Sequence, residues 1–451
     1  MQNQDERLKA LATRPVGRLL WEYSLPAVVG MLVMALYNVV DRIFIGQWVG
    51  PEAIAGLAVT FPIMNLATAV GVLVGVGSTA RVSIALGEKN LTLAERILGN
   101  AITLTLLNAA IYIAVFAVFI DPLLSAFGAS DVTLPYAREY MLPLLPGLLL
   151  TNVAYGMNNL MRASGYPRKA MYTMLVGAAV NVVLDPLFIY VFGWGIAGAA
   201  YATDIAMLVS AAYVLSHFFN RNATLHFHRH TFGLKWNIVA SIISLGAAPA
   251  LVNAAGCAVN AIVNNTLLAY GSDSDIGAAG IMVTYTSLLV TAVLGICQGA
   301  QPIIGYNYGA GQTHRLSRAF ILAVAAATVI TATGGVLGLV MPREIGMAFT
   351  TDSGLLDATQ TALSLCLLAF PVVGFQVISS MLFQSIGMAG KSILIGLLRQ
   401  VLFLIPLLLI LPREWGLEGV WIAFPSSDAL ATVVTLALVL WQFRQLRRAR
   451  Q

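Results

Sequence analysis

The chain has 451 residues, of which 59% are hydrophobic and only 10% are charged. Soluble globular domains carry about 25% charged residues. The composition therefore excludes an ordinary soluble protein and predicts an all-α integral membrane protein, because the apolar runs suit helices rather than barrel strands. The sequence has no paired Ser/His/Asp set, HExxH motif or Walker motif, and we expect neither an enzyme nor a cofactor.

Twelve apolar stretches follow one another along the chain, each near the ~20 residues that a bilayer requires. They run roughly 19–41, 54–80, 97–120, 136–161, 170–193, 196–219, 238–268, 277–304, 317–341, 358–384, 393–411 and 417–442. The first 18 residues are polar, and the run after them is long enough to span, so no cleavable signal peptide is expected. Cys257, Cys297 and Cys366 have no metal-ligand spacing and are interpreted as small core residues.

The loops differ in charge on the two sides of the predicted bundle. Lys and Arg gather in both tails and in the loops of one side, whereas the other side has only Arg42, Arg138, Arg343 and Arg413. By the positive-inside rule both termini are cytoplasmic. The net charge of +5 then reflects topology, and no nucleic-acid partner is expected.

The chain also repeats itself at an offset of about 222 residues. RASGYPRK at 162–169 matches QSIGMAGK at 384–391, and three further matches occur in order at the same offset. Six spans per repeat predict two lobes of like orientation, related by a pseudo-two-fold axis along the membrane normal, with a cavity between them. The predicted N-lobe is 1–219 and the C-lobe 237–451; the cytoplasmic linker, 220–236, carries His226, His228 and His230. We interpret this linker as a solvated loop rather than a metal site.

Four carboxylates lie within the apolar stretches: Asp41, Asp185, Asp204 and Asp428. Acids at membrane depth are costly and usually serve ion or substrate movement. The repeat places Asn264 opposite Asp41 and Leu407 opposite Asp185, so a folding role shared by both lobes does not explain them. This asymmetry predicts a cation site in the N-lobe.

Asn181 and Asp185 are four residues apart and share one helical face. The predicted cation-coupling residues are Asp41, Asn181, Asp185, Thr203 and Asp204. Alternatives stay open: Asp185 satisfied by Arg or backbone at a helix end, Asp41 paired with Arg42 at the headgroup boundary, and structural roles for Asp204 and Asp428.

A second set of residues is predicted to line the substrate cavity, since Met and aromatic surfaces repack around varied apolar ligands. The set is Tyr37, Phe61, Met64, Met157, Met161, Met282, Tyr285, Gln298 and Gln384; plain core packing is the alternative for each. Pro26, Pro249 and Pro371 are expected to break apolar helices. Pro26 is a candidate hinge, and an architectural kink is the alternative.

Several stretches resemble the multidrug and toxic compound extrusion (MATE) family, best its DinF-like and MepA-like branches. They include LPAVVGMLVMALYNVVDRIFIGQWVG at 25–50, RASGYPRKA at 162–170, NVVLDPLFIY at 181–190 and GAQPIIGYNYGAGQ at 299–312. The resemblance implies a bacterial or archaeal inner-membrane antiporter that exports amphipathic, mostly cationic organic compounds by lobe rocking. It also implies that Asp41, Asn181, Asp185 and Thr203 bind the coupling proton or sodium ion, with no other metal.

The nearest alternative is a lipid-linked oligosaccharide flippase of the same superfamily. Its anionic cargo calls for Lys or Arg in the cavity, and the assigned spans hold none at depth, with Arg399 the nearest exception. A major facilitator transporter lacks support because RVSIALGEKNLTLAER does not show the expected basic, Gly-rich signature. The expected partners are small organic cations and the lipid bilayer, and the expected state is a monomer.

Overall fold

The structure, a computed structural model, describes residues 2–220 and 222–448, and within them it contains helices and no strand. Arg221 of the predicted linker and residues 449–451 of the predicted C-lobe lie outside the described residues. The helices of the first half are α1 (Gln2–Thr13), α2 (Val16–Trp48), α3 (Pro51–Gly87), α4 (Leu91–Ala126), α5 (Leu134–Ala163), α6 (Pro167–Pro186) and α7 (Gly195–Phe219). Those of the second half are α8 (Trp236–Tyr270), α9 (Asp273–Gly309), α10 (Thr313–Val340), α11 (Pro342–Met347), α12 (Ser353–Cys366), α13 (Val373–Ser385), α14 (Ala389–Leu397) and α15 (Ile405–Arg448).

These helices account for the twelve predicted spans. Nine are single helices, and α12 and α13 form a tenth that is bent by 56°. The apolar segment Ala389–Leu446 is 58 residues long, nearly three times what one crossing requires. The chain leaves the helical conformation at Gly416 (φ 55°, ψ −134°), where glycine has no Cβ to oppose the positive φ, so this segment supplies two spans.

Of the three prolines predicted to break apolar helices, Pro371 differs from the other two. Pro371 lies at the bend, in a 3₁₀ turn (Phe370–Val372), and its carbonyl accepts a hydrogen bond from Thr331 Oγ1 at 2.9 Å. By contrast α2 and α8 continue through Pro26 and Pro249 without a break. The expectation that all three prolines break their helices is therefore wrong for two of them.

The buried apolar residues form three cores, whose arrangement defines two lobes. One core lies wholly within α2–α7 and another wholly within α8–α15. A third and larger core contains residues of both halves, such as Leu19, Leu160, Ile296 and Phe383. It lies on the side where α2 begins and α15 ends, here called the basic side because most Lys and Arg residues lie there. The lobes thus share one core on the basic side and have separate cores on the opposite side. The space between these two separate cores is here called the cleft.

The contact between lobes on the basic side, here called the seam, is close enough to require glycine. A Cβ added at Gly295 in α9 would lie 2.6 Å from the Cα of Val28 in α2. Gln301 of α9 also donates from Nε2 to the carbonyl of Val76 in α3 at 3.4 Å. The two lobes are therefore in backbone contact at the seam.

Most described residues of the inter-lobe linker are exposed, and part of the linker is held on the N-lobe by hydrogen bonds. Asn100 of α4, which is 1% exposed, donates from Nδ2 to the carbonyls of Thr231 and Gly233, both at 3.2 Å. Its Oδ1 accepts from the backbone N–H of Lys235 at 2.8 Å. One buried side chain therefore anchors three linker residues to the N-lobe.

Two of the linker histidines lie near Glu95, an acid of α4. His228 Nε2 is 3.3 Å and His226 Nδ1 is 3.8 Å from Oε1 of Glu95. Among the described residues, no group of three or more His, Cys, Asp or Glu side chains is arranged to hold a metal ion.

Candidate functional site

Three helices of the N-lobe bring four of the predicted residues together. Asn181 and Asp185 come from one face of α6, Asp41 from α2 and Thr203 from α7. Asn181 Nδ2 donates to Asp185 Oδ1 and to Thr203 Oγ1, each at 3.3 Å. The carboxyl groups of Asp41 and Asp185 lie within hydrogen-bonding reach of each other. The four side chains form one polar site, here called the N-lobe cluster.

The helix that supplies two members of the cluster changes its winding directly after them. Pro186 has no N–H to donate to the carbonyl four residues earlier. The next five residues, Leu187–Val191, form a π-helical turn, a feature that is frequent at functional sites. The sequence N-V-V-L-D-P thus encodes both the shared face and the irregular backbone beside it.

Acceptor oxygens in the cluster outnumber the donors. Asn181 and Asp185 are completely buried, and Asp41 is 8% exposed. Among the described residues, no hydrogen-bond donor reaches Asp41 Oδ1, Asn181 Oδ1 or Asp185 Oδ2. An unsatisfied buried acceptor costs about 1–3 kcal/mol, and more when charged. Two neighbouring carboxyl groups with spare acceptor oxygens can be satisfied by a shared proton or by a small oxygen-binding cation such as sodium.

Asp204 lies beside the N-lobe cluster rather than within it. A Cβ added at Gly147 of α5 would overlap its Oδ1, so the carboxyl group packs directly on the backbone of that helix. The structure therefore separates Asp204 from the other four predicted residues by its contact with α5.

Two tyrosines accompany the acids. Tyr140 of α5 is 3% exposed and lies near enough to interact electrostatically with Asp41, Asp185 and Asp204. Tyr37 of α2 interacts similarly with Asp41 and Asp185. Tyr140 was absent from the sequence-based candidates, since only the packing of α5 against α3 and α7 brings it there.

The alternatives for Asp41 and Asp428 resolve differently. Arg42 lies over the ring of Phe61, 5.4 Å from its centroid; it forms no ion pair with Asp41 among the described residues, but it is near enough to interact electrostatically with that carboxyl group. Asp428, whose side chain is 2% exposed, is ion-paired with Arg399 through Oδ1 and Nε. The C-lobe therefore carries a self-neutralised acid, whereas the N-lobe cluster has no basic partner among the described ion pairs.

Four of the predicted cavity residues lie in the core instead. Met157 and Met161 are buried in the core shared by the lobes, and Met282 is buried in the C-lobe core. Gln384 is 5% exposed and donates from Nε2 to the carbonyl of Leu245 at 2.6 Å. In this conformation the four residues are buried and do not line the cleft as predicted. Helical spacing in the sequence did not distinguish core positions from cavity positions.

The other predicted cavity residues are at least partly accessible. Phe61 is 49% exposed, and Tyr37 and Met64 are half-buried. Tyr285 is also half-buried, with its hydroxyl donating to the carbonyl of Gly334 at 2.7 Å. Gln298 lies at the seam.

Arg162 lies one residue beyond the predicted fourth span, 136–161, and is a buried basic residue. This residue was assigned to a loop, but it lies in the last turn of α5 and is 1% exposed. Its burial arises from the seam with α9, which is a tertiary contact that hydropathy does not report.

Two six-span lobes around a cleft, with a buried polar cluster in one lobe, define a multi-pass membrane transporter. Two copies of the MatE family model match residues 26–187 and 249–410, which confirms the internal repeat. The chain belongs to this family, the multidrug and toxic compound extrusion transporters.

Relatives and solved structures cover nearly the whole chain. A protein of Shewanella oneidensis described as an FAD transporter is 27% identical over 429 residues, 93% of each chain. The multidrug export protein MepA of Staphylococcus aureus is 23% identical and covers 97% of this chain and 96% of its own. The structure of a multidrug resistance MATE transporter in an outward-facing conformation superposes with a TM-score of 0.92 at 24% identity, over 98% of both chains.

Proposed function

We propose that this protein exports small organic compounds in exchange for protons or sodium ions bound at the N-lobe cluster. The observation that carries the proposal is the set of buried acceptor oxygens without donors on Asp41, Asn181 and Asp185. A bound monovalent cation cancels one of the two negative charges, and its release leaves two like charges close together. Ion and substrate occupancy can then oppose each other through one site, which is what antiport requires.

The cleft supplies the alternating access. The lobes meet on the basic side and part on the other, so the cleft opens away from the basic side. With the basic side cytoplasmic, as the positive-inside rule indicates, this conformation faces outward from the inner membrane. Rocking of the two lobes about the seam exposes the cleft to the cytoplasm in the other half of the cycle. The transporter works as a monomer, since each chain contains both lobes.

Amphipathic organic cations are the first candidate substrates. The acids of the N-lobe attract positive charge, and half-buried apolar and aromatic groups such as Tyr37 and Met64 provide burial. The relative described as a multidrug export protein supports the same class. A second candidate is an anionic, FAD-like compound, because a relative that is 27% identical is described as an FAD transporter.

The proposal is tested in proteoliposomes with proton and sodium gradients imposed separately. Uptake of a quaternary dye, a matched anionic dye and FAD is compared for the wild-type protein and Asp185→Asn. We expect one gradient to drive transport of the cationic dye in the wild-type protein, and neither gradient to drive it in the variant.

The matched control is Asp131→Asn, because Asp131 is an exposed acid of the loop before α5. It should transport like the wild-type protein. Transport by Asp185→Asn that still follows the driving gradient would refute coupling at the cluster. Preference for the anionic dye or FAD would favour the second candidate.

A further inference from the structure

A fully buried arginine lies at the seam with neutral partners. Arg162 Nη1 donates to Asn159 Oδ1 at 2.9 Å and to Gln298 Oε1 at 2.7 Å, and Nη2 donates to Asn158 Oδ1 at 2.8 Å. Its Nε has no acceptor, and no carboxylate among the described residues forms an ion pair with it. A guanidinium group stays protonated in proteins. The seam therefore contains an uncompensated positive charge.

The charge is expensive to bury, and the other lobe has a neutral residue at the matching place of the repeat. The matching residue of the C-lobe is Gln384, a neutral side chain that bonds to the carbonyl of Leu245. Arginine thus occurs in the lobe that also holds the acid cluster. Buried charges kept in membrane proteins usually serve the passage of ions or substrates.

Arg162 lies in the last turn of α5, on the basic side of the molecule. Gln298 reaches Arg162 from α9 across the seam, and its Nε2 contacts Met31 Sδ of α2 at 3.4 Å. Helices of both lobes therefore enclose the guanidinium group at the seam. A cation that leaves the N-lobe cluster toward the basic side has to pass this closed region.

We infer that Arg162 is an electrostatic barrier that stops cations from crossing the closed seam without substrate exchange. Fixed arginine charges exclude protons and other cations from narrow membrane pathways in this way. The inference rests on the proposed function only for the identity of the ion that arrives at the cluster. In this role Arg162 prevents ion flow without substrate exchange and does not bind the substrate.

The alternative is that Arg162 merely fastens the lobes together through its hydrogen bonds. Two substitutions distinguish the effect of the positive charge from the effect of the hydrogen bonds across the seam. Arg162→Gln removes the charge, and Arg162→Lys keeps it but loses the planar fork that bonds two partners at once. Gln298→Glu keeps a side chain in contact with Arg162 and neutralises the arginine through an ion pair. It therefore tests the role of the charge even if Arg162→Gln does not fold.

The experiment measures passive proton and sodium leak in substrate-free proteoliposomes under an imposed diffusion potential. Arg162→Gln and Gln298→Glu should each raise the leak about tenfold or more, which corresponds to about 1.4 kcal/mol of lost barrier. Arg162→Lys and the control Arg168→Gln, an exposed arginine six residues away, should stay near the wild-type rate.

The reading is overturned if Gln298→Glu leaks no more than the wild-type protein, or if Arg162→Lys leaks as much as Arg162→Gln. Because no substrate is present, these outcomes do not depend on whether substrate flux is coupled to ions. Failure of coupling in the wild-type protein would be seen separately, in the gradient-driven uptake experiment.

Discussion

Replacement of Gly295 by alanine is expected to open the seam between the lobes. An alanine Cβ there would lie 2.6 Å from the Cα of Val28, which belongs to the backbone of the other lobe and cannot rotate away. Gly280, on the same helix, has no neighbouring atom within 4 Å of an added Cβ. Gly280→Ala is therefore a control with the same gain in helix propensity and no clash.

The size of the effect follows from the overlap. Overpacking a tight contact costs about 1–3 kcal/mol. Separation of the lobes on the basic side relieves the clash, so the cost falls only on the conformation seen here. The equilibrium should shift toward the conformation that is open on the basic side by about 5–150-fold.

The shift can be read from the accessibility of a seam residue. Gln301 is 4% exposed and contacts the carbonyl of Val76 across the seam. Gln301→Cys, in a background in which the three native cysteines are replaced by serine, reports opening through its rate of reaction with a membrane-permeant maleimide.

Gly295→Ala should raise that rate by about 5–150-fold, in proportion to the open population, and Gly280→Ala should leave it unchanged. An unchanged rate in Gly295→Ala, in a protein that is folded and inserted, would refute the argument that backbone contact at Gly295 holds the seam closed.

Three further substitutions test other parts of the molecule. Asp41→Asn mimics a permanently neutral acid, so it should still bind substrate but lose the dependence of substrate affinity on pH or sodium; an affinity that responds as in the wild-type protein would remove Asp41 from the coupling site. Pro26→Ala should lower transport far more than Pro249→Ala, with little change in melting temperature, if Pro26 is a hinge; equal losses at both sites would favour an architectural kink. Asn100→Ala removes the hydrogen-bond partner of three linker groups and should cost about 1–3 kcal/mol of stability. Proteolysis of the linker should become faster. The control Asn108→Ala loses only a bond to the Leu104 carbonyl of its own helix and should not expose the linker.

The sequence by itself determined the span pattern, because the need to satisfy backbone groups in a bilayer leaves few structures for a run of ~20 apolar residues. It also determined the repeat, which the paired family matches at 26–187 and 249–410 confirm. Within the site, spacing alone put Asn181 and Asp185 on one face, since residues four apart on a helix are neighbours.

Only the tertiary structure decided which distant residues share that site. Asp41 joins Asp185 because α2 packs on α6, while Asp204, one residue after Thr203, turns to the backbone of α5. Arg162 ends a helix and looks like a loop residue until the second lobe covers it. Met157 and Met161 have the same apolar character as cavity residues and are buried by that same contact. Hydropathy reports whether a side chain avoids water; whether lipid, cleft or the other lobe replaces the water depends on how the two lobes meet.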